Sequence, residues 1–506
     1  MDKDEQAIKT NPINPLDYLS NLDKSVYTIK NLPPVVKGAL FSKFSRSRGG
    51  VRKLLLPLLK DIDSVKLMKT NSEAFYDRVF DEFGDDSIAE LGGIHVAIER
   101  VSMLGAKEVE DVRIGGSPIE KSTRYLDFYD KDPTTMFYCH EKLFPPHELR
   151  AYKGACVKLF ETYRELTIKL TALFDEKTPQ TDKGDVFRKK TIRCKVFDQV
   201  RGLLPASTLT NVGIYGNGRY FKHLLNKLST VENIEMQELR SELYTELDKD
   251  LHSFIKGSAT GHRHHKAYKD YKLKMKKLFT KVLGDTPRNR LMCESPSKTK
   301  LISAGGCMLI DECLYGILSP HSGLSHHDVR RLISKLSDKE AVEMFEAMAS
   351  YRTDRRHNLD RGAELARFEF EIVADFGCYR DLQRHRVASQ ARQLLTPDLG
   401  YNIPSEIRKH PDICETYETA LEGVVDVYDR LAEISPYNAQ YVIPMAFNIR
   451  WYISMNLREA QWITELRSVP HGHESYRRVA VDICDRICEK FPELKSVFKY
   501  VNREGL

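Results

Sequence analysis

The sequence predicts an α+β protein built as two tandem, related halves. Long stretches carry apolar residues at helical spacing, as at Leu149, Tyr152, Cys156, Leu159, Tyr163, Leu166, Leu170 and Leu173. Residues 364–376 are apolar enough for a buried strand or a buried helix, which periodicity does not separate. One spacing also occurs twice: a proline, an asparagine twelve residues on and an arginine two further, at Pro205, Asn217, Arg219 and at Pro444, Asn456, Arg458. Each follows a long helical stretch. Ala89-Glu90-Leu91 and Ala363-Glu364-Leu365 stand ahead in similar places, the first half needing about two extra residues. Correspondence at both points predicts a divergent tandem repeat.

Composition sets the broad class. At 506 residues the chain exceeds one ordinary domain, and 41% hydrophobic with 30% charged residues is the balance of a soluble globular protein. No run approaches the roughly 18 apolar residues of a membrane span. The start, Met1-Asp2-Lys3-Asp4-Glu5, lacks the apolar core of a secretory signal, so a cytoplasmic protein is expected. The ten cysteines form neither a zinc pattern nor a disulfide framework, and Cys484 and Cys488 read as buried helix residues. A net charge of +6 permits anionic small molecules without demanding nucleic acid.

Taken in order, residues 1–35 hold four prolines and read as an extended arm. A first domain is expected over 36–255. It opens with a helix from Asn71-Ser72, marked by Phe75, Val79, Phe80 and Phe83. The long helix after Pro145-Pro146 is interrupted by the polar stretch 175–192. Gly213, Gly216 and Gly218 fit neither a P-loop nor a dinucleotide fingerprint. Residues 256–300 read as a basic linker. Its seven lysines from Lys266 onward, with Tyr268 and Tyr271, suit nucleic acid in principle, but a solvated helix or linker is the preferred reading. His262, His264 and His265 lack cysteine or carboxylate partners nearby, so no metal site is expected. The second domain, 301–506, should be helical over 328–351 and carry an amphipathic helix marked by Tyr417, Leu421, Val424, Val425, Tyr428 and Leu431.

The chemistry concentrates in two stretches, Arg384-His385-Arg386-Val387-Ala388-Ser389 and Ser117-Pro118-Ile119-Glu120-Lys121-Ser122-Thr123-Arg124-Tyr125. Arginine stays protonated and grips oxygens in pairs, so Arg124, Arg201, Arg384, Arg386, Arg458 and Arg467 together suit a phosphorylated substrate and a phosphorylated cofactor. His385, between two cations, is expected as a neutral ring. Ser122 and Ser389 have no local base, which argues against a serine hydrolase.

Arg384-His385-Arg386 with Ser389 resembles the start of the flavin-dependent thymidylate synthase motif, Arg-His-Arg-x7-Ser-x-Arg. The second half has Leu394 and Thr396 where that family has the later serine and arginine. The first half keeps Ser122 and Arg124 but has Val112-Arg113-Ile114 in place of Arg-His-Arg. Downstream, the family's arginine four before the proline survives as Arg201 against Gln440. The arginine eleven after the asparagine survives as Arg467, with His471 four on, against Leu228. The losses are complementary.

The resemblance implies two tandem synthase-like domains, each a sheet packed with long helices, and one composite site. Glu120, Ser122, Arg124 and Arg201 would meet Arg384 and Arg467 around dUMP, with Arg467 and Ser122 as the residues nearest the chemistry. Arg384, His385, Arg386 and Glu364 would hold FAD, helped by Asn456 and Arg458 or Asn217 and Arg219. The mirror site, with Val112, Ile114, Leu228, Leu394 and Gln440, should be dead. The implied reaction is reductive methylation of dUMP to dTMP, with methylenetetrahydrofolate as carbon donor and NADPH as reductant, in a homodimer that imitates the family's tetramer. The alternatives are one-carbon transfer to another uracil-containing substrate and a non-catalytic nucleotide or RNA binder.

Overall fold

The computed structural model describes residues 14–45, 47, 50–56, 59, 70, 72, 86–128, 132–177, 179, 185–283, 290–305 and 309–506. The helix expected from Asn71-Ser72 lies outside the described residues. Two compact units are present. The first comprises Met1–Val101, Glu108–Glu120 and Asn211–Thr286, and the second Ser102–Lys107, Lys121–Thr210 and Pro287–Leu506. These are not the two sequence halves, since 121–210 falls in the second unit.

The first unit holds a three-stranded sheet of β1 (Gly93–Ser102), β2 (Gly116–Glu120) and β3 (Leu209–Asn217), in the order β1-β3-β2. β2 and β3 run antiparallel from Gly116 opposite Gly216 to Glu120 opposite Val212. β3 alternates as a half-buried strand must, with Val212 and Ile214 inward and Asn211 and Tyr215 outward. Asn217 then caps helix Gly218–Leu228, its Oδ1 accepting from Tyr220 N at 2.8 Å. That helix buries Tyr220, Phe221, Leu224, Leu225 and Leu228 along one face. The expected extended arm doubles back instead, at least over its described part. Asn14 caps a short turn, Leu19 bridges Ile29, and Leu19 is fully buried, which an extended arm could not achieve. The basic segment contains helix Arg263–Leu283, with His265 its buried residue.

The second unit is built on an antiparallel sheet, β5 (Lys298–Ala304), β6 (Arg367–Asp375), β9 (Asn448–Asn456) and β7 (Ser389–Arg392), in that order. β4 (Leu291–Glu294) pairs in parallel with β8 (Leu399–Tyr401). The apolar run 364–376 therefore resolves as strand, from Arg367. Phe368, Phe370 and Ile372 point inward, and burial becomes continuous toward Asp375. The long helix runs Pro146–Lys177, and a further helix, Asp185–Val200, follows the polar interruption. Two helices expected to be continuous are broken. Ser337 forms a capping box with Glu340 and restarts the chain as Asp338–Ser350 after His326–Ile333. Gly423 and Val424 separate Pro411–Glu422 from Val425–Ile434.

The repeated spacing has a structural meaning. Asn456 caps helix Leu457–Arg467 by accepting from Glu459 N at 2.8 Å, with φ −85° and ψ 170°, against −86° and 169° for Asn217. Each proline lies just ahead of its strand, and Pro205 and Pro444 face each other in an isolated antiparallel bridge within the second unit. Proline has no N–H to give, so the flanking residues carry the pairing. Ala206 N donates to Ile443 O at 2.9 Å and Met445 N to Leu204 O at 2.9 Å. The pattern is self-complementary, a local two-fold between equivalent segments. Upstream the match continues, with Met103 N on Thr208 O and Phe376 N on Phe447 O. β1 has ten residues to the nine of β6. Arg100 lies in the left-handed region at φ 56° within β1, the way a strand absorbs an extra residue.

Candidate active site

Five chain segments of the second unit converge on one ionic cluster. Helix Asp185–Val200 brings Asp198 in its last turn, and Arg201 opens the tight turn that follows. Helix Phe376–Leu382, whose N-terminus is capped by Asp375 Oδ1 on Cys378 N at 2.8 Å, brings Asp381 in its last turn. Helix Leu457–Arg467 ends on Arg467, and His473 caps helix Glu474–Lys490, which carries Tyr476. Ser122 Oγ accepts from Arg124 N at 3.2 Å and shapes the turn that presents Arg124.

Arg124 grips Asp198 with both ends of its fork, Nε on Oδ1 at 2.7 Å and Nη2 on Oδ2 at 2.8 Å. It also donates to Tyr476 OH and to His471 O, each at 2.9 Å. Arg201, buried, places Nη1 and Nη2 on Asp381 Oδ2 at 3.1 and 3.2 Å. Burial alone would raise Asp381, but Arg201, Arg467, His473 and Arg124 outweigh it and lower its pKa to about 2. The guanidiniums of Arg124 and Arg467 stand 5.8 and 5.7 Å from the Tyr476 ring centre, a cation–π arrangement.

Arg467 is set by a relay. Its Nε donates to His385 Nε2 at 2.9 Å, and His385 Nδ1 lies 3.0 Å from Glu459 Oε1. An arginine cannot accept, so the imidazole carries its proton on Nδ1 and offers Nε2 as acceptor. Burial first, then the charges of Arg467 and Arg384, lower the His385 pKa against the pull of Glu459. The ring is neutral at pH 7, as its place between cations predicts. His473 is likewise pushed down, by burial and then by Arg201, and its Nε2 lies 3.0 Å from Asp198 O.

The structure thus brings together Ser122, Arg124, Arg201, His385 and Arg467 of the predicted residues. Arg384 and Arg386 flank His385 on an exposed turn, and Arg384 makes no hydrogen bond or ion pair among the described residues. Arg458 pairs with Glu364 at 2.7 Å beside the Asn456 cap. Glu120, Asn217 and Arg219 belong to the first unit, where Arg219 pairs with Glu90 at 2.5 Å. At the mirror positions, Gln440 is fully buried and bonded to Leu395 N and Tyr437 O, Leu228 is core, and Ile114 is exposed.

Sequence reading missed Asp198, Asp381, Glu459, His473 and Tyr476. One signal was available for the two aspartates: each sits in the last turn of a helix, where the macrodipole disfavours an anion unless a cation compensates. A cavity of about 750 Å³ adjoins the cluster, bordered by Asp198, Gln199, His473, Glu474, Arg477 and Arg478.

Comparison with known proteins supplies the lineage. The family model described as thymidylate synthase complementing protein matches residues 48–251 and 325–493. The chain belongs to this family, that of the flavin-dependent thymidylate synthases. A UPF0159 protein of Chlamydia muridarum is 40% identical, covering 96% of this chain and 93% of its own. A UPF0159 protein of Thermoplasma acidophilum is 31% identical over 92% of this chain and 95% of its own. The flavin-dependent thymidylate synthase of Thermococcus onnurineus is 24% identical over 24% of this chain and 54% of its own. Among the described residues no helix is long and apolar enough to cross a membrane.

Proposed function

We propose that the protein is a tandem flavin-dependent thymidylate synthase with one working site. Its reaction is FAD-dependent reductive methylation of a uracil ring, dUMP to dTMP in the form the family carries, using methylenetetrahydrofolate and NADPH. One observation carries the reading. Residues kept by the first half, Ser122, Arg124 and Arg201, are gathered with His385 and Arg467, kept by the second, in one cluster of one chain. The residues at the mirror positions are spread between core and surface.

The donor set fits a flavin dinucleotide. Arg384 and Arg386 offer exposed guanidiniums to a pyrophosphate on either side of a buried neutral imidazole, and Arg384 has no competing partner among the described residues. Bound flavin supplies the hydride that completes the methyl group. The chain's own contribution is electrostatic: Arg467, held by His385 and Glu459, stabilises negative charge on the uracil carbonyl edge as the ring becomes nucleophilic. Ser122 orients the Arg124 turn and attacks nothing.

The test is flavin content with release of tritium from C5-labelled dUMP. Yellow protein that releases tritium supports the reading, and colourless protein that binds no added FAD overturns it. Arg124→Ala and Arg467→Ala each abolish activity, and mixing the two inactive proteins restores none, because both residues must come from one chain. A second reading, another uracil-containing substrate, is favoured by a specific observation: Arg124 and Arg201 already hold aspartates.

A further inference from the structure

Helix Arg263–Leu283 of the first unit buries one side chain, His265, and is exposed from Lys269 onward apart from the half-buried Met275. Its residues are nonetheless sorted. At about 3.6 residues per turn, Tyr268, Tyr271, Met275, Leu278, Phe279 and Val282 fall within one arc of roughly 100°. Tyr271, Leu278, Phe279 and Val282 are between 51% and 75% exposed. Apolar side chains scattered singly over a surface need no explanation, but a continuous stripe of them marks a contact.

The charges say what covers it. Lys272 and Lys276 border one edge of the stripe, Lys274 and Lys281 border the other, and Lys266, Lys269 and Lys277 lie behind. The helix's one acid, Asp270, is held by Lys274 at 2.7 Å, and Lys276 reaches Glu232 at 2.8 Å. Both pairs are exposed and weak enough to open. Lys266, Lys269, Lys277 and Lys281 make no ion pair among the described residues. A second copy of this helix laid on the stripe would set lysine edge against lysine edge in either direction, with Asp270 already engaged. Single-stranded nucleic acid needs cations and open ring faces on one side. Here the lysines stand off the stripe, and the ammonium of Lys272 lies 5.6 and 5.9 Å from the ring centres of Tyr268 and Tyr271. A protein groove selects its helix by a pattern of both signs, whereas this helix offers one sign on both flanks alike. That suits a surface defined by charge density, with an apolar layer beneath.

We propose that this helix is a surface anchor for an anionic lipid bilayer, lying in the headgroup layer with its apolar stripe turned inward. The stripe enters the acyl boundary, and the two tyrosines keep their hydroxyls among the headgroups. The bordering lysines run their stems along the stripe and set their ammonium groups on lipid phosphates and carboxylates. No residue of the ionic cluster takes part.

The experiment is cosedimentation of the full-length protein with vesicles of phosphatidylcholine alone and of phosphatidylcholine with about one-third phosphatidylserine. Binding to the anionic vesicles is expected to exceed that to the neutral ones by about tenfold or more, and to fall as salt rises from about 0.1 M to about 0.5 M. Leu278→Gln combined with Phe279→Gln should weaken it by about tenfold or more, and Lys272→Gln and Lys281→Gln by about fivefold each. All four positions are exposed, so the melting temperature should not move. Equal binding to the two kinds of vesicle, or none to either by the folded protein, overturns the proposal. So does tighter binding of a single-stranded oligonucleotide than of the anionic vesicles, which would give the helix to nucleic acid, or a dimer that Leu278→Gln dissolves, which would give the stripe to a second copy.

Discussion

Arg201 and Gln440 occupy equivalent places, each four residues before one of the paired prolines, yet they are solved in opposite ways. At Arg201 a buried cation is held by an ionised aspartate, an arrangement that is costly to assemble and costlier to break. At Gln440 a neutral amide accepts from Leu395 N at 2.9 Å and from Arg392 Nη1 at 3.4 Å and donates to Tyr437 O at 3.0 Å, so no ion pair has to be held. The same divergence separates Arg467, poised on a histidine, from Leu228, which is wholly buried on its helix. One copy retains buried charges held in pairs, and the other places neutral residues at the same positions.

Four experiments test that contrast, from the largest expected effect to the smallest. Arg201→Ala strips the partner from a buried ionised carboxylate and should destabilise the fold by about 3–5 kcal/mol in chemical denaturation while abolishing activity. Leu228→Ala should also destabilise, by about 2–5 kcal/mol through the cavity it leaves, but flavin content and turnover per folded molecule should be unchanged. A drop in specific activity there would mean that the silent copy is not silent. Gln440→Leu removes the acceptor for Leu395 N and should cost about 1–3 kcal/mol in the same assay, again with activity intact.

The fourth is the dependence of the melting temperature on pH. His385 and His473 have pKa values lowered from 6.5, so below that value the unfolded chain binds more protons than the native one and stability falls. Asp381 acts in a separate window: its stabilisation, full above the ordinary 3.8, is lost as pH falls toward about 2. His385→Asn should weaken the first phase and leave the second in place.

Much of this is legible in the sequence alone. The proline–asparagine–arginine spacing marks a strand followed by a capped helix, twice, because an asparagine ahead of a helix satisfies its first free N–H groups. The complementary arginines were visible as well, and so was the neutral His385. The anions were not. Asp198 lies 74 residues from Arg124 and Asp381 lies 180 from Arg201, and an isolated aspartate on a polar helix reads as solvated face. Tyr476 was hidden because a lone aromatic on an amphipathic helix reads as core. Helix breaks at Ser337 and Gly423 escaped because apolar periodicity ran through them.

The pairing of Pro205 with Pro444 has a consequence for what can vary. When two identical chains meet across a two-fold axis, every substitution appears on both sides and any site built there is duplicated. Here both partners of the pairing are written into one polypeptide, so a change on one side is not copied to the other. The backbone keeps the symmetry of a dimer, while the side chains attached to it are released from it. Halves expressed separately should therefore seek each other rather than themselves, since Arg201 of the first half is held by Asp381 of the second.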